Sequence, residues 1–492
     1  MIEKFDLFFN YLLCRRSKFI LIPGALVLLL TIFFFPVIPQ LTDNLFYMNA
    51  ARNLFESNIY LSGLQEYQIS WPIFYSFILS FFSWTGTYLS QVARVLNLIL
   101  IVLSYLFIKK NRFFQDSTFL LPLVFVNFFF FEAVMLEMTD ILFLFQVFFF
   151  LYLVSLKTSG LRFFLIFLIS LISSMTKFSA ILFPISFVLS TVCNKLFFKE
   201  NFNKQKLISL CLVVIGFVIG VKINSMINYY HTDVLSIPKN MIWVNDFSNI
   251  LVMIKNIFFE NLIKISSYPG KFNLLASFFL PLRLLGNMVI SIFLSLPILF
   301  LVFRGAYIYA KSLKKIPFEI SFLFIYVCLF ICTKAMATRH LIIIYPILWF
   351  LFLKGVQGFK FKNILLFLSI GANLGLIFWF ISFGNRGDHA GLVNILRNKP
   401  FYKNEYGDIY KIINKNRDLL RDKKIITRSN KGRFISFWLQ QNIVFAYDPI
   451  ENLDTNSDAY FFTSKKRVRP SENEIIHETL ESEKYISLYK LK

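Results

Sequence analysis

Residues 41–55, LTDNLFYMNAARNLF, set one carboxylate, Asp43, at the head of an apolar helix-like run, and 136–145, LEMTDILFLF, repeat the arrangement with Asp140. Around both acids the chain is more apolar than water-soluble proteins are. Phe supplies 64 of 492 residues, hydrophobic residues make up 57% and the mean hydropathy is +0.63. Such a chain uses lipid as the solvent for many helices. A carboxylate at the edge of lipid is costly to keep charged unless it lines a wet cavity, which makes each acid a candidate functional group.

The apolar runs lie within 19–383. The tail, 385–492, is polar, with 20 Lys or Arg against 14 Asp or Glu. The net charge of +23 does not point to nucleic acid, because the basic residues form no helix face or aromatic-interleaved patch. They fall in short gaps between apolar runs, where they fix topology and meet anionic headgroups. Cys328 and Cys332 share a helix face, but no His or acid joins them, so they form no metal site. No phosphate-cradling Gly-rich loop and no internal repeat occurs, which argues against a nucleotide-driven machine.

Threading by the positive-inside rule starts with a span at 19–38, preceded on the cytoplasmic side by Arg15, Arg16 and Lys18. The short apolar piece 71–86 is expected to be re-entrant or interfacial, because a full span there would put Lys109, Lys110 and Arg112 outside. Further spans are expected at 91–108, 117–134, 139–156, 161–175, 178–197, 207–228, 277–303, 317–336, 339–354 and 363–383. This gives an α-helical polytopic membrane domain, 1–384, with about eleven transmembrane helices. Its outer loops, 39–90 and 229–273, carry juxtamembrane helices, and the second contains Trp243. The tail reads as a small extracytoplasmic α/β domain. Its helices are expected at 405–420 and 433–441 and its strands at 423–429, 442–448 and 459–465. On this threading Asp43, Glu137, Asp140, Lys177 and Arg339 all reach the outer side.

Each acid has a plain structural reading as a helix N-cap. Their shared side and setting favour chemistry instead: a carboxylate there deprotonates an acceptor hydroxyl or amine. Lys177 in SSMTKFSAILFP and Arg339 with His340 in KAMATRHLIIIYP interrupt apolar runs. Their structural reading is snorkelling. The functional one is a phosphate clamp, with Arg as a fork and Lys as a point charge. Arg94 is a further phosphate candidate, and Arg52 a candidate for orienting an acid or touching substrate. Glu137 stands beside Asp140 as a substrate-side acid. Trp71, Phe74 and Tyr75 fit an interfacial belt first and a sugar-stacking platform second.

In this order the motifs resemble the polytopic glycosyltransferases of the GT-C class, and within it the group of protein O-mannosyltransferases and the lipid A aminoarabinose transferase. The resemblance rests on Asp43-Asn44, Ala50-Ala51-Arg52 and Trp71-Pro72-Ile73-Phe74-Tyr75 in the first outer loop. Thr139-Asp140-Ile141-Leu142, then Met175-Thr176-Lys177 with Pro184, then Arg339-His340-Leu341 with Pro346 continue it, so that it covers most of 15–383. It implies a GT-C fold and an inverting transfer of a sugar from a polyprenyl-phosphate donor to a glycolipid, glycan or protein acceptor. Asp43 would be the general base, Asp140 would shape the acceptor side or orient a cation, and the basic residues would hold phosphate. The implied setting is the inner (plasma) membrane, with the N-terminus cytoplasmic and the active site outside. No cofactor is implied, and a divalent cation is left open. The chain departs from the pattern at Asn44, where many relatives carry a second acid, and at Ser70-Trp71-Pro72, where aminoarabinose transferases carry Lys before a double Pro. The other classes compatible with the composition are a transporter or flippase of lipid-linked sugars and a polymerase or ligase using a pyrophosphate-linked donor.

Overall fold

A computed structural model of the chain describes residues 35–36, 42–58, 60, 72–114, 127–137, 139–199, 204–231, 288–332, 338–359, 362–384, 393, 397, 400–429, 431–445, 459–463, 476–483 and 485–491. Most of the expected spans at 19–38 and 117–134, part of that at 277–303, and residues 232–273 of the expected loop, with Trp243, lie outside the described residues. The chain divides into two compact units.

The first unit comprises Met1–Thr31, Leu96–Met226 and Pro238–Ile377, and its described part is helical. It holds Phe128–Met135, Thr139–Ser155, Gly160–Thr176, Leu182–Phe198, Met288–Leu313, Phe318–Cys332 and Tyr345–Gly355. It also contains most of the Leu89–Lys110, Lys204–His231 and Lys362–Phe383 helices. Among the described residues, four stretches are long and apolar enough to cross a membrane: Ser83–Lys110, Ser179–Phe198, Lys204–Asn224 and Leu296–Leu313. Shorter apolar helices lie at Thr139–Ser155, Gly160–Thr176, Phe318–Cys328, Tyr345–Gly355 and Gly371–Phe383. Several helices keep large side chains outside, such as Phe164, Val192 and Leu196. In water this exposure is a liability, and in lipid it is solvation.

The interior of this unit is built from rings. Phe183 stacks on Phe150 with centroids 4.3 Å apart, and Phe318 and Phe322 surround the pair. The Met288–Leu313 and Tyr345–Gly355 helices approach closely because Gly305 and Gly355 face each other's backbones. A Cβ on Gly305 would run into the Leu351 carbonyl, and one on Gly355 into the Leu301 carbonyl. Small residues at such crossings are how helices pack in lipid, where the hydrophobic effect gives no drive.

The second unit comprises Ile32–Val95, Ile227–Ile237 and Phe378–Lys492. Its first described helix, Thr42–Ser57, carries Asp43. The apolar piece after Pro72 forms only a seven-residue helix, Phe74–Ser80, about 10 Å long at 1.5 Å per residue and far short of a bilayer. A 3-10 turn follows, Ser83–Tyr88, bent at Gly86, whose φ of 61° lies in the left-handed region.

The tail contributes the helices Asn404–Lys415, Arg417–Leu420 and Gly432–Leu439 and a five-stranded sheet. The strands are β1 Lys424–Thr427, β2 Val444–Phe445, β3 Ala459–Thr463, β4 Ile476–Ser482 and β5 Ser487–Leu491, ordered β2-β1-β3-β5-β4. β1 runs parallel to β2 and β3, and β5 antiparallel to β3 and β4. Ile426, Val444, Ala459, Phe461, Tyr489 and Leu491 form its core. The closing hairpin, β4 and β5, is an addition to the three strands expected from sequence.

Candidate active site

Three residues singled out by sequence meet in the first unit. The Gly160–Thr176 helix ends where Lys177 turns extended, at φ −157° and ψ 135°, before a 3-10 turn, Phe178–Ile181. That break frees the Lys177 side chain from the helix, and its Nζ forms an ion pair with Oδ1 of Asp140, in the first turn of Thr139–Ser155. His340 comes from a second 3-10 turn, Thr338–Ile343, which hands over to the Tyr345–Gly355 helix at Pro346. Its Nδ1 lies 2.9 Å from both Asp140 Oδ1 and Lys177 Nζ. A protonated Nδ1 donates to the carboxylate, and a bare one accepts from the ammonium.

The cluster is graded in depth. The Asp140 side chain is 3% exposed, whereas Lys177 and His340 are 16% and 18% exposed. The acid is therefore buried behind two groups that reach the surface. Residues that the sequence reading did not single out brace it. The Tyr326 hydroxyl donates to the His340 carbonyl at 2.7 Å. Gln146 Nε2 donates to Thr176 Oγ1 at 2.8 Å, fixing the residue just before Lys177. The available signal for Gln146 was a lone amide in a run of Phe and Leu.

The other sequence candidates are placed as follows. Glu137 is fully buried in the turn before Thr139–Ser155, with φ at 46°. Arg94 is fully buried and donates to the carbonyls of Phe35 at 2.6 Å and Pro36 at 2.8 Å, so its fork holds the chain entering the first outer loop. Tyr75 is buried edge-on against Tyr47, with centroids 5.4 Å apart. Arg52 is 3% exposed and donates to the Ser436 carbonyl at 3.0 Å and to Asn442 Oδ1 at 3.1 Å. Burial pulls its pKa down to about 10, with Glu56 pulling the other way. Arg94 and Arg52, expected at phosphate and substrate, thus have backbone and tail groups as hydrogen-bond partners. The side chains of Asp43 and Arg339, and the whole of Trp71, lie outside the described residues.

No protein-family model and no curated protein matches the sequence. Among solved structures, ArnT from Cupriavidus metallidurans in the apo state aligns with a TM-score of 0.60 and 12% identity, over 96% of this chain and 97% of that one. ArnT from the same organism bound to undecaprenyl phosphate aligns with a TM-score of 0.57 and 10% identity, over the same shares. The Archaeoglobus fulgidus oligosaccharyltransferase, tethered with an acceptor peptide, aligns with a TM-score of 0.48 and 11% identity, over 89% of this chain and 65% of that one. The two ArnT alignments, which run almost end to end, establish the architecture: the chain has the polytopic, largely helical fold of those structures.

Proposed function

We propose that the chain is a lipid-linked glycosyltransferase that moves a sugar from a polyprenyl-phosphate donor to a glycolipid, glycan or protein acceptor on the outer face of the membrane. The observation that carries this reading is the convergence of Asp140, Lys177 and His340 in a chain with the fold of ArnT, which has been solved with undecaprenyl phosphate bound. Asp43 takes the proton of the acceptor hydroxyl or amine. The acceptor atom then attacks the anomeric carbon, the bond from that carbon to the phosphate oxygen breaks, and polyprenyl phosphate leaves with the bonding electrons. A single displacement of this kind inverts the anomeric centre.

The leaving phosphate gains charge, so the transition state gains from fixed cations. Lys177 and Asp140 together carry no net charge. The surplus positive charge comes from His340 in its protonated form and from Arg339, next to it in sequence. In this reading Asp140 orients Lys177 and is not the base. The chain crosses the inner membrane with about eleven spans, starts in the cytoplasm and carries residues 385–492 outside.

The test is transfer in vitro from polyprenyl-phosphate sugars by wild type and Asp43→Asn. Loss of turnover by about a hundredfold or more in the variant is expected for a missing general base. Full turnover in Asp43→Asn removes Asp43 from that role, and no transfer by wild type from any such donor removes the reading.

A further inference from the structure

The helix that carries Asp43 is stitched to the tail along one stripe. Phe46, Asn49, Arg52 and Asn53 follow at helical spacing, so they share a face, and each is 3% exposed or less. Opposite them stand the Gly432–Leu439 helix and Asn442. Asn49 Nδ2 donates to the Arg433 carbonyl at 3.0 Å. The Arg433 guanidinium lies over the Phe46 ring, 5.4 Å from its centroid. Arg52 reaches both the Ser436 carbonyl and Asn442 Oδ1, and Asn53 Nδ2 donates to the same Asn442 oxygen at 3.0 Å. The Ser436 hydroxyl in turn donates to the Gln441 carbonyl at 2.7 Å, tying the acceptor side together.

The character of this seam is informative. An apolar seam would hold the helix while tolerating small slips, because hydrophobic contact is non-directional. Here the contacts are polar and directional, buried on the side of the Thr42–Ser57 helix and part-buried at Arg433 and Asn442, and Arg52 brings a buried guanidinium whose two terminal nitrogens find acceptors. A seam of that kind fixes register and tilt.

We infer that the tail is a positioning element for the reaction, holding the Thr42–Ser57 helix, and with it Asp43, in one orientation through Arg52, Asn49 and Asn53. The inference rests on the transferase reading and on Asp43 as its base. Its lever arm is short. Asp43 precedes Arg52 by nine residues, about 13 Å along a helix. A tilt of about 5° at the seam displaces the start of the helix by about 1 Å, and a misplacement of about 1 Å costs on the order of a hundredfold in rate. Arg52 is in this sense a positioning residue, and Asn442 its counterpart.

The test uses the full chain and separates kcat from KM for a polyprenyl-phosphate sugar. Asn442→Leu removes the shared acceptor, whereas Asn442→Asp keeps one. Asn442→Leu is expected to lower kcat about tenfold or more while KM for the donor stays within about twofold. Asn442→Asp is expected to keep turnover near wild type. Arg52→Ala should match Asn442→Leu, and the two together should be no worse than the more damaging one, since both open the same seam. The inference is overturned if Asn442→Leu turns over like wild type, if its loss appears in KM alone, or if Asn442→Asp loses as much. Arg52→Ala leaves a buried gap and can fail to fold, so the Asn442 pair carries the decision. A wild type that transfers while Asn442→Leu is unimpaired defeats this inference alone, whereas a wild type that never transfers defeats the function.

Discussion

Lys177 and Asp140 form an ion pair across 37 residues of sequence, and the His340 imidazole sits within 2.9 Å of both. The pair joins the end of one apolar helix to the start of another. It keeps an ammonium and a carboxylate together where neither is stable alone in an apolar body.

Removing the acid should expose that dependence. Asp140→Asn keeps the shape but takes the Asp140 carboxylate away from the mostly buried Lys177, at a cost of about 3–5 kcal/mol. Thermal unfolding of the detergent-solubilised protein should show a lower midpoint. Adding Lys177→Met should restore part of the loss, because the orphan charge is gone. A double variant less stable than Asp140→Asn would argue against the pairing.

The phosphate role of Lys177 is separable from stability. Titration of purified Lys177→Met with undecaprenyl phosphate should show affinity weakened about tenfold, equivalent to about 1.4 kcal/mol. Unchanged affinity would take Lys177 out of phosphate handling and leave it as the partner of Asp140.

Arg94 offers the opposite contrast. Its fork serves two carbonyls, at Phe35 and Pro36, and the point ammonium of Lys cannot match that geometry. Arg94→Lys is expected to lower the thermal midpoint while leaving KM for the lipid-linked sugar unchanged. A clear rise in KM would return Arg94 to the phosphate.

Gly305 and Gly355 set how closely two helices pack. Gly305→Leu should cost about 1–3 kcal/mol, since the neighbour it would strike is backbone and cannot swing away. The readout is again the unfolding midpoint, and an unaltered midpoint would mean that the two helices have room for a side chain at this crossing.

Much of the architecture was legible because apolar runs report directly on the solvent of a helix. Thr139–Ser155, Gly160–Thr176 and Leu182–Phe198 lie close to where the runs of Phe, Leu and Ile put them. The charges downstream of 71–86 argued against a full span there, and the helix found, Phe74–Ser80, is too short to be one. The terminal hairpin was harder to read. In β4, IHETLES, charged and apolar residues mix without a clean alternation, and its pairing with β5 is interrupted by register shifts near Glu478 and Glu481.

The sequence by itself determined the class of molecule, the order of its helices and the identity of the basic residues worth asking about, because hydropathy and charge act on each segment locally. Which acceptor each cation meets was decided only by tertiary structure. Arg52 reaches Ser436 and Asn442, Arg94 reaches Phe35 and Pro36, and Lys177 reaches Asp140 and His340. Those partners lie from tens to hundreds of residues away. A guanidinium or ammonium beside an apolar run looks the same in sequence whichever acceptor it finds, and packing alone brings that acceptor within hydrogen-bonding distance.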